Sequence, residues 1–255
     1  MRKKRRHYGF SLTEVLLAVG TLSIGMIFVA GVFPVAIHFS TIASERTIAA
    51  VVADEAFAKI RLFAAGDPLD PTDGLDLTQL NFDQLTNFEY AAGIIIEPNE
   101  FAYPSDPTIS FSQRRYWWSA LLRRVSPDPT SRLMQVTVFV CRRTRASPVY
   151  WNPVGGDADR PMPFPVGVSG SAGTDVLTIQ GGREAFINDG YTIVDNETGR
   201  LYRVLERDAS QPDTIVLDRP WDVDSPAPDM VWVVPPPAGG GRYPCIAVYQ
   251  KVIRF

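Results

Sequence analysis

Few side chains in this sequence have the types and spacing that catalysis requires. The two histidines are His7, in a basic block at the N-terminus, and His38, near the end of an apolar run. The polar part of the sequence therefore has no histidine that could activate a nucleophile. Glycine pairs such as Gly155-Gly156 lack the lysine-containing loop that cradles phosphate. We predict no enzyme, no catalytic residue and no cofactor.

One acidic group has the composition of a cation site. Asp218, Asp222 and Asp224 lie close together around Trp221, and carboxylates are ligands that calcium prefers. A solvated acidic loop explains the same residues with fewer assumptions. The three aspartates are a metal candidate only, and no metal is predicted.

The first predicted structural element of the chain is a long apolar segment near the N-terminus. Five basic residues precede Gly9, and the thirty residues from Val15 to Ser44 contain no Asp, Glu, Lys or Arg. Residues 15–36 are the most apolar part, about 33 Å long as a helix against a hydrocarbon core of about 30 Å. A cleaved secretory signal has an apolar region of only about 7–15 residues. We therefore predict a transmembrane helix, with the basic N-terminus in the cytoplasm and the chain after about residue 45 across the membrane.

Glu14 is the exceptional residue of this segment. A carboxylate at the start of a spanning helix costs about 2.5 kcal/mol or more unless a partner neutralises it. The run Gly9-Phe10-Ser11-Leu12-Thr13-Glu14 after a basic leader resembles the class III signal peptide, the prepilin-type cleavage and methylation motif. This motif belongs to type IV pilins and to the pseudopilins of type II secretion systems.

The resemblance implies a route of processing and assembly. A prepilin peptidase would cut after Gly9, Phe10 would become the methylated N-terminus, and Glu14 would be the fifth mature residue. The terminal ammonium of a neighbouring subunit would then pair with Glu14 in the low dielectric of a helix bundle. Other partners implied are pilin or pseudopilin subunits, an inner-membrane assembly platform and membrane lipid. A plain signal anchor, in which Glu14 only reaches the membrane interface, is the alternative.

The middle of the chain predicts a helix followed by strands. Apolar residues at spacings of three and four continue the helix past Pro34 to Phe63, and Gly66-Asp67-Pro68 ends it. The apolar face is predicted to contain Ile42, Ile48, Val51, Val52, Ala56, Phe57, Ile60 and Leu62. A short helix at residues 77–85 and strands at 94–96, 116–125 and 133–143 follow. This is an α+β fold, in which a long transmembrane and amphipathic helix packs on an antiparallel sheet that the resemblance implies is pilin-like.

The C-terminal part predicts an insertion. Residues 147–165 are rich in proline and glycine and indicate a linker. Closely spaced short strands follow and indicate a small all-β barrel or sandwich before a final strand at 245–255. The predicted segments are a leader (1–9), the N-terminal helix (10–65), a pilin-like β region with linker (66–165), an inserted β subdomain (166–236) and the final strand (237–255).

Cys141 and Cys245 are the two cysteines of the sequence. Cys141 ends one predicted strand and Cys245 opens the final one. Opposed residues of an antiparallel pair have Cα atoms about 4.5–5.5 Å apart, within disulfide range. A disulfide at the neck of the insert is therefore a candidate, and two buried free thiols are the alternative.

The charge balance does not favour nucleic-acid binding. The net charge is −3, and removal of residues 1–9 leaves 20 basic and 28 acidic side chains. Trp117 and Trp118, beside Arg123 and Arg124, suggest base stacking. A strand with one ring inward and one outward explains them more simply, and nucleic acid is not a predicted partner.

The predicted function is that of a non-enzymatic filament subunit. The resemblance implies a minor pseudopilin or minor pilin of a type II secretion or type IV pilus machine. Its location would be the inner membrane, crossed once, with a periplasmic C-terminal domain and association with the filament after assembly. The alternatives are a pilin-anchored periplasmic ligand-binding or adhesin module and a membrane-anchored periplasmic enzyme.

Overall fold

The structure is a computed structural model that divides into two compact units, residues 1–47 and 48–255. It describes residues 9, 11–63, 82–85, 98–106, 108–110, 113–128, 131–144, 149–153, 155–158, 160–222 and 229–255.

One helix and thirteen strands make up the regular structure of this part of the chain. Helix α1 is Leu12–Phe63, and short 3-10 turns occur at Pro98–Phe101 and Glu184–Phe186. The strands are β1 Asp83–Leu85, β2 Ala102–Tyr103, β3 Tyr116–Arg124, β4 Leu133–Arg142, β5 Tyr150–Trp151, β6 Asp157–Ala158, β7 Phe164–Ser169, β8 Val176–Ile179, β9 Thr192–Asp195, β10 Leu201–Arg207, β11 Thr214–Leu217, β12 Asp229–Val233 and β13 Cys245–Arg254.

Helix α1 is 52 residues long and continuous through Pro34. Its last four turns supply a buried face, at spacings of three and four, made of Ala49, Val52, Ala53, Ala56, Phe57 and Ile60. The prediction that Val51 and Leu62 share this face is wrong, since their side chains are 49% and 70% exposed. Alanines alternate with Val52, Phe57 and Ile60 on this buried face.

The first sheet is antiparallel and has the order β1-β3-β4-β13, with β2 also paired to β3. Strand β1 occupies the end of the predicted helix at 77–85, so that helix is wrong over residues 83–85. The predicted strand at 94–96 lies outside the described residues.

Both faces of this sheet are covered. On one face Trp118, Val136 and Val138 pack against α1. On the other face Trp117, Leu121 and Phe139 pack against side chains of the later strands. Burial on both faces explains why β4 reads as a nearly continuous apolar run.

A polar cluster around Lys59 joins helix α1 to the rest of this unit. The Lys59 ammonium lies 2.9 Å from a carboxylate oxygen of Glu55 and 2.9 Å from one of Glu100. It also donates to the Glu100 carbonyl, which accepts from the Trp118 indole N–H at 3.0 Å. Lys59 of the helix and Trp118 of the sheet thus bind the same Glu100 carbonyl, which ties the helix to the sheet.

Strands β7 to β12 form a closed barrel in the order β10-β11-β8-β7-β12-β9. Its interior is filled by aliphatic and aromatic side chains, chiefly Val166, Leu177, Ile193, Tyr202, Ile215, Trp221 and Val231. Closure leaves the sheet without free edges. In sequence the barrel lies between β4 and β13, which pair with each other.

The α+β class is confirmed, and of the two predicted forms of the β insert the structure has the barrel. The barrel begins at Phe164, inside the segment predicted as a linker. The sequence does not reveal strand β7, because Pro165 and Gly167 are typical of a loop. Pro165 pairs with Trp232 of β12, whereas β8 pairs only with Val168 and Ser169. A proline is tolerated there because its missing N–H is not needed by a second neighbour.

Candidate functional site

The N-terminal part of α1 exposes its apolar side chains. Leu16, Ile27 and Phe28 are 64%, 71% and 71% exposed. Among the described residues α1 is the one helix long and apolar enough to cross a membrane, with a mean hydropathy of 2.4 in its most apolar window. This property is compatible with a single-pass membrane segment and also with a signal sequence.

Glu14 lies in the first turn of α1 and is exposed. Its backbone N–H donates to the Ser11 carbonyl at 3.0 Å, and the Ser11 and Thr13 hydroxyls are 2.8 Å apart. A carboxylate in this position interacts favourably with the positive end of the helix dipole. Gly9 is exposed just ahead of the helix, while Phe10 and residues 1–8 of the leader lie outside the described residues.

Cys141 and Cys245 are register partners in the β4–β13 pair, so the expected strand pairing is present. Both side chains are buried, and the structure has them as free thiols, not as a disulfide. Burial raises the pKa of the Cys141 thiol well above its ordinary value, and the neighbouring Cys245 adds to the shift. The two residues therefore serve here as small core side chains, and the bond between them stays a prediction.

The candidate cation site is not assembled by the described residues. The Asp222 carboxylate pairs with Arg200 and accepts from the Tyr202 hydroxyl at 3.3 Å. Asp218 accepts from the Arg203 backbone N–H and lies 3.5 Å from the Arg219 guanidinium. No group of three His, Cys, Asp or Glu in this part of the chain is placed to hold a metal. Asp224 lies outside it.

Trp117 and Trp118 point to opposite faces of the sheet, and both are buried. Their exposed fractions are 2% and 1%, because the helix covers one face and the barrel the other. The expectation of one outward ring is therefore wrong, and neither ring can stack on a base without opening a core.

A turn of the barrel docks on the sheet, and no pattern in the sequence indicates this contact. Asp195, fully buried, accepts from the backbone N–H groups of Glu197 and Thr198 at 3.1 and 2.9 Å. These bonds hold the turn between β9 and β10 in one conformation. Its outward-pointing carbonyl groups are then fixed in direction, as a docking surface requires.

The sheet supplies three side chains that receive this turn. The Arg123 guanidinium donates to the carbonyls of Glu197 and Thr198, at 2.6 Å for the latter. Gln250 and Gln135 both donate to the Gly199 carbonyl, at 2.7 and 3.2 Å. Burial lowers the pKa of Arg123, and the charge of Asp195 partly offsets that effect.

Asn196 adds a second contact at the same junction. Its side-chain oxygen accepts from the indole N–H of Trp232 at 2.8 Å and from the backbone N–H of Phe82 at 3.3 Å. The Asn-Glu-Thr-Gly sequence marks a turn. Its partners, Phe82 and Trp232, lie far away in the sequence, however, so only the structure identifies them. We call residues 195–199 with Arg123, Gln135 and Gln250 the barrel junction.

Comparison with known proteins returns no relative. The chain matches no family model, no curated protein and no solved structure.

Proposed function

We propose that this chain is a structural subunit of a helix-anchored filament, a minor pseudopilin or minor pilin. The observation that carries the proposal is the run from Gly9 to Glu14 together with the 52-residue helix that begins within it, at Leu12. The apolar side chains at the start of that helix are exposed and are not buried by their own unit. Lipid before assembly and other helices after it would cover them.

The division of α1 supports the same proposal. The part from Ile48 onward buries a face on the sheet of its own unit. Before it, residues 15–44 present an open apolar surface with no charged side chain, and Glu14 stands at the start of that surface. One half is thus suited to hold a domain and the other to enter a helix bundle, with a pilin-like sheet between the helix and the barrel.

In this proposal the chain has no catalytic role. Its partners are prepilin peptidase, other pilin or pseudopilin subunits, an inner-membrane assembly platform and lipid. The N-terminus is cytoplasmic and the β-rich unit periplasmic, because the five basic residues before Gly9 favour retention of that end.

Mass spectrometry of the native N-terminal peptide tests the proposal. In cells with prepilin peptidase we expect an N-methylated peptide that begins at Phe10. Gly9→Val should block the cut and leave the leader in place, whereas Tyr8→Val, one residue earlier, should be processed normally. A wild-type peptide that retains residues 2–9 in such cells would overturn the proposal.

A pilin-anchored ligand-binding module is the second candidate function. A groove on the barrel favours it, because it combines an exposed tryptophan with fixed polar side chains.

A further inference from the structure

A groove formed by two adjoining cavities lies along one end of the barrel. The first has a volume of about 350 Å³, and Trp151, Phe186 and Tyr191 line it together with the Pro/Gly segment 236–241. The second, of about 400 Å³, is lined by Asp189, Asp208 and Pro212, among others. Both include Asn188 and Arg207, so the two cavities form one elongated depression, which we call the barrel groove.

The first cavity has an aromatic wall. The Trp151 side chain is 39% exposed, although its ring centroid lies 5.0 Å from that of Phe186. Phe186 is supported from behind by Phe164 in an edge-to-face contact at 5.2 Å and by the Arg183 guanidinium. This support holds the wall in place. An exposed but fixed indole offers a flat, weakly polar surface at little entropic cost.

The centre of the groove carries a fixed donor. Arg207 donates through one guanidinium nitrogen to the Glu184 carbonyl and to the Asn188 side chain, both at 2.9 Å. Its backbone N–H donates to Asp189 at 2.7 Å. A guanidinium has five N–H donors, so it can be held in this way and still donate toward the groove.

The second cavity supplies acceptors. The Asp208 carboxylate accepts from the backbone N–H and hydroxyl of Ser210 at 2.8 and 2.7 Å, and these bonds lower its pKa. Asp189 is exposed next to it. Two carboxylates repel anionic ligands, while the polar floor disfavours an aliphatic chain.

We propose that the barrel groove binds a neutral oligosaccharide. The weakly polar C–H face of one sugar ring stacks on Trp151. Hydroxyl groups of the following rings accept from Arg207 and donate to Asp189 and Asp208. Sugar hydroxyls need donors and acceptors side by side, and the groove provides both next to an aromatic surface. This inference rests on the second candidate function, a ligand-binding module, and it is independent of the filament proposal, because the groove is formed by residues between Trp151 and Gly241 of the β-rich unit.

Isothermal titration calorimetry of the detergent-solubilised full chain tests the inference. The probes are maltohexaose, cellohexaose and chitohexaose, with hexagalacturonate as an anionic comparison and decaproline as a peptide comparison. We expect at least one neutral hexasaccharide to bind with a Kd below about 1 mM and both comparison ligands to bind more weakly.

Variants locate the binding. Trp151→Ala should lower the affinity for the hexasaccharide at least about tenfold. Trp151→Phe, which keeps a smaller ring, should lose less affinity. Leu205→Ala removes a side chain that is 57% exposed on β10 and outside the groove, and it should bind like wild type. Should Trp151→Ala not fold, Trp151→Phe decides alone. The proposal fails if no neutral hexasaccharide binds, if hexagalacturonate or decaproline binds more tightly, or if the Trp151 variants keep full affinity.

Discussion

Cys141 and Cys245 are opposite each other where β4 ends and β13 begins, so that all barrel strands lie between them in the sequence. A β-bulge follows Cys245, and Trp117 of β3 is the partner of Cys141 on its other side. The two thiols therefore mark the neck through which the chain leaves and re-enters the sheet.

In an oxidising compartment we expect these thiols to form a disulfide. The bond would close a loop of about a hundred residues and stabilise the fold by up to about 4–5 kcal/mol in the chain-entropy model. Non-reducing peptide mapping should find the cross-link, and reduction should lower the melting temperature of wild type but not of Cys141→Ala. Two free thiols in chain isolated from that compartment would contradict the expectation.

When reduced, the same thiols should react slowly. Burial raises the pKa of Cys141, and only the thiolate is nucleophilic. Alkylation of the reduced, folded chain by iodoacetamide at neutral pH should therefore be far slower than in denaturant, and it should speed up as the pH rises. Equal rates in the folded and denatured chain would show that the neck of the insert is open.

Gly199 is required at the barrel junction for two reasons. Its φ is +72°, and a Cβ there would lie 2.6 Å from the Gln135 side-chain oxygen and 2.8 Å from Arg123 Nε. Gly199→Ala should lower stability by about 2–3 kcal/mol, from backbone strain plus the displaced hydrogen bonds. Gly240→Ala is the matched control, since its φ is +79° but nothing lies within 4 Å of the added Cβ.

Thermal melting of the full chain in detergent measures both glycine variants. We expect a drop of about 4–10 °C for Gly199→Ala and a clearly smaller one for Gly240→Ala. Equal drops would mean that the close approach at the junction contributes nothing.

Asp229 should make stability depend on pH. Burial raises the pKa of its carboxyl group, and the charges of Asp195 and Glu197 raise it further. One of its oxygens, Oδ2, is buried without a hydrogen-bond partner among the described residues. A raised folded-state pKa gives stability that is present below the unfolded value, near 4, and lost as the pH rises through the folded value.

Asp229→Asn should therefore melt at a higher temperature than wild type at pH 7, and the difference should vanish toward pH 3. Asp175→Asn, which removes an exposed carboxylate from the same barrel, separates this effect from net charge. The same gain in both variants would assign the effect to net charge and not to the burial of Asp229.

Strands with a regular apolar pattern could be predicted from the sequence to within a residue or two. Strand β4 is an example, because its nearly continuous apolar run reflects burial on both faces. Strand β7 was missed, because Pro165 and Gly167 indicate a loop and only the pairing with β12 explains them. A strand can thus be predicted from the sequence when its own residues favour a strand, and not when only its pairing with a distant strand explains it.

The barrel junction could not be predicted, because each of its contacts joins residues far apart in the sequence. In the sequence Arg123 stands beside two tryptophans in a pattern that suggests base stacking, yet its guanidinium donates to the turn carbonyls. The sequence around Asn196 indicates a turn, but it does not indicate that the Asn196 side chain accepts from the Trp232 indole N–H. The groove beside Trp151 was missed for the same reason, since Arg207 and segment 236–241 come together only when the barrel closes.

Glu14 is the residue on which the proposed assembly most depends. Replacing it by alanine removes a charge from the start of an apolar helix, so membrane insertion should be unchanged or improved. Loss of a pair with a neighbouring N-terminus, if worth about 1.4 kcal/mol, lowers incorporation into filaments about tenfold. Thr13→Ala is the control, because it alters a polar side chain of the same turn without changing the charge. Immunoblots of sheared filaments and of membrane fractions measure both quantities, and wild-type incorporation of Glu14→Ala would show that Glu14 has no pairing role.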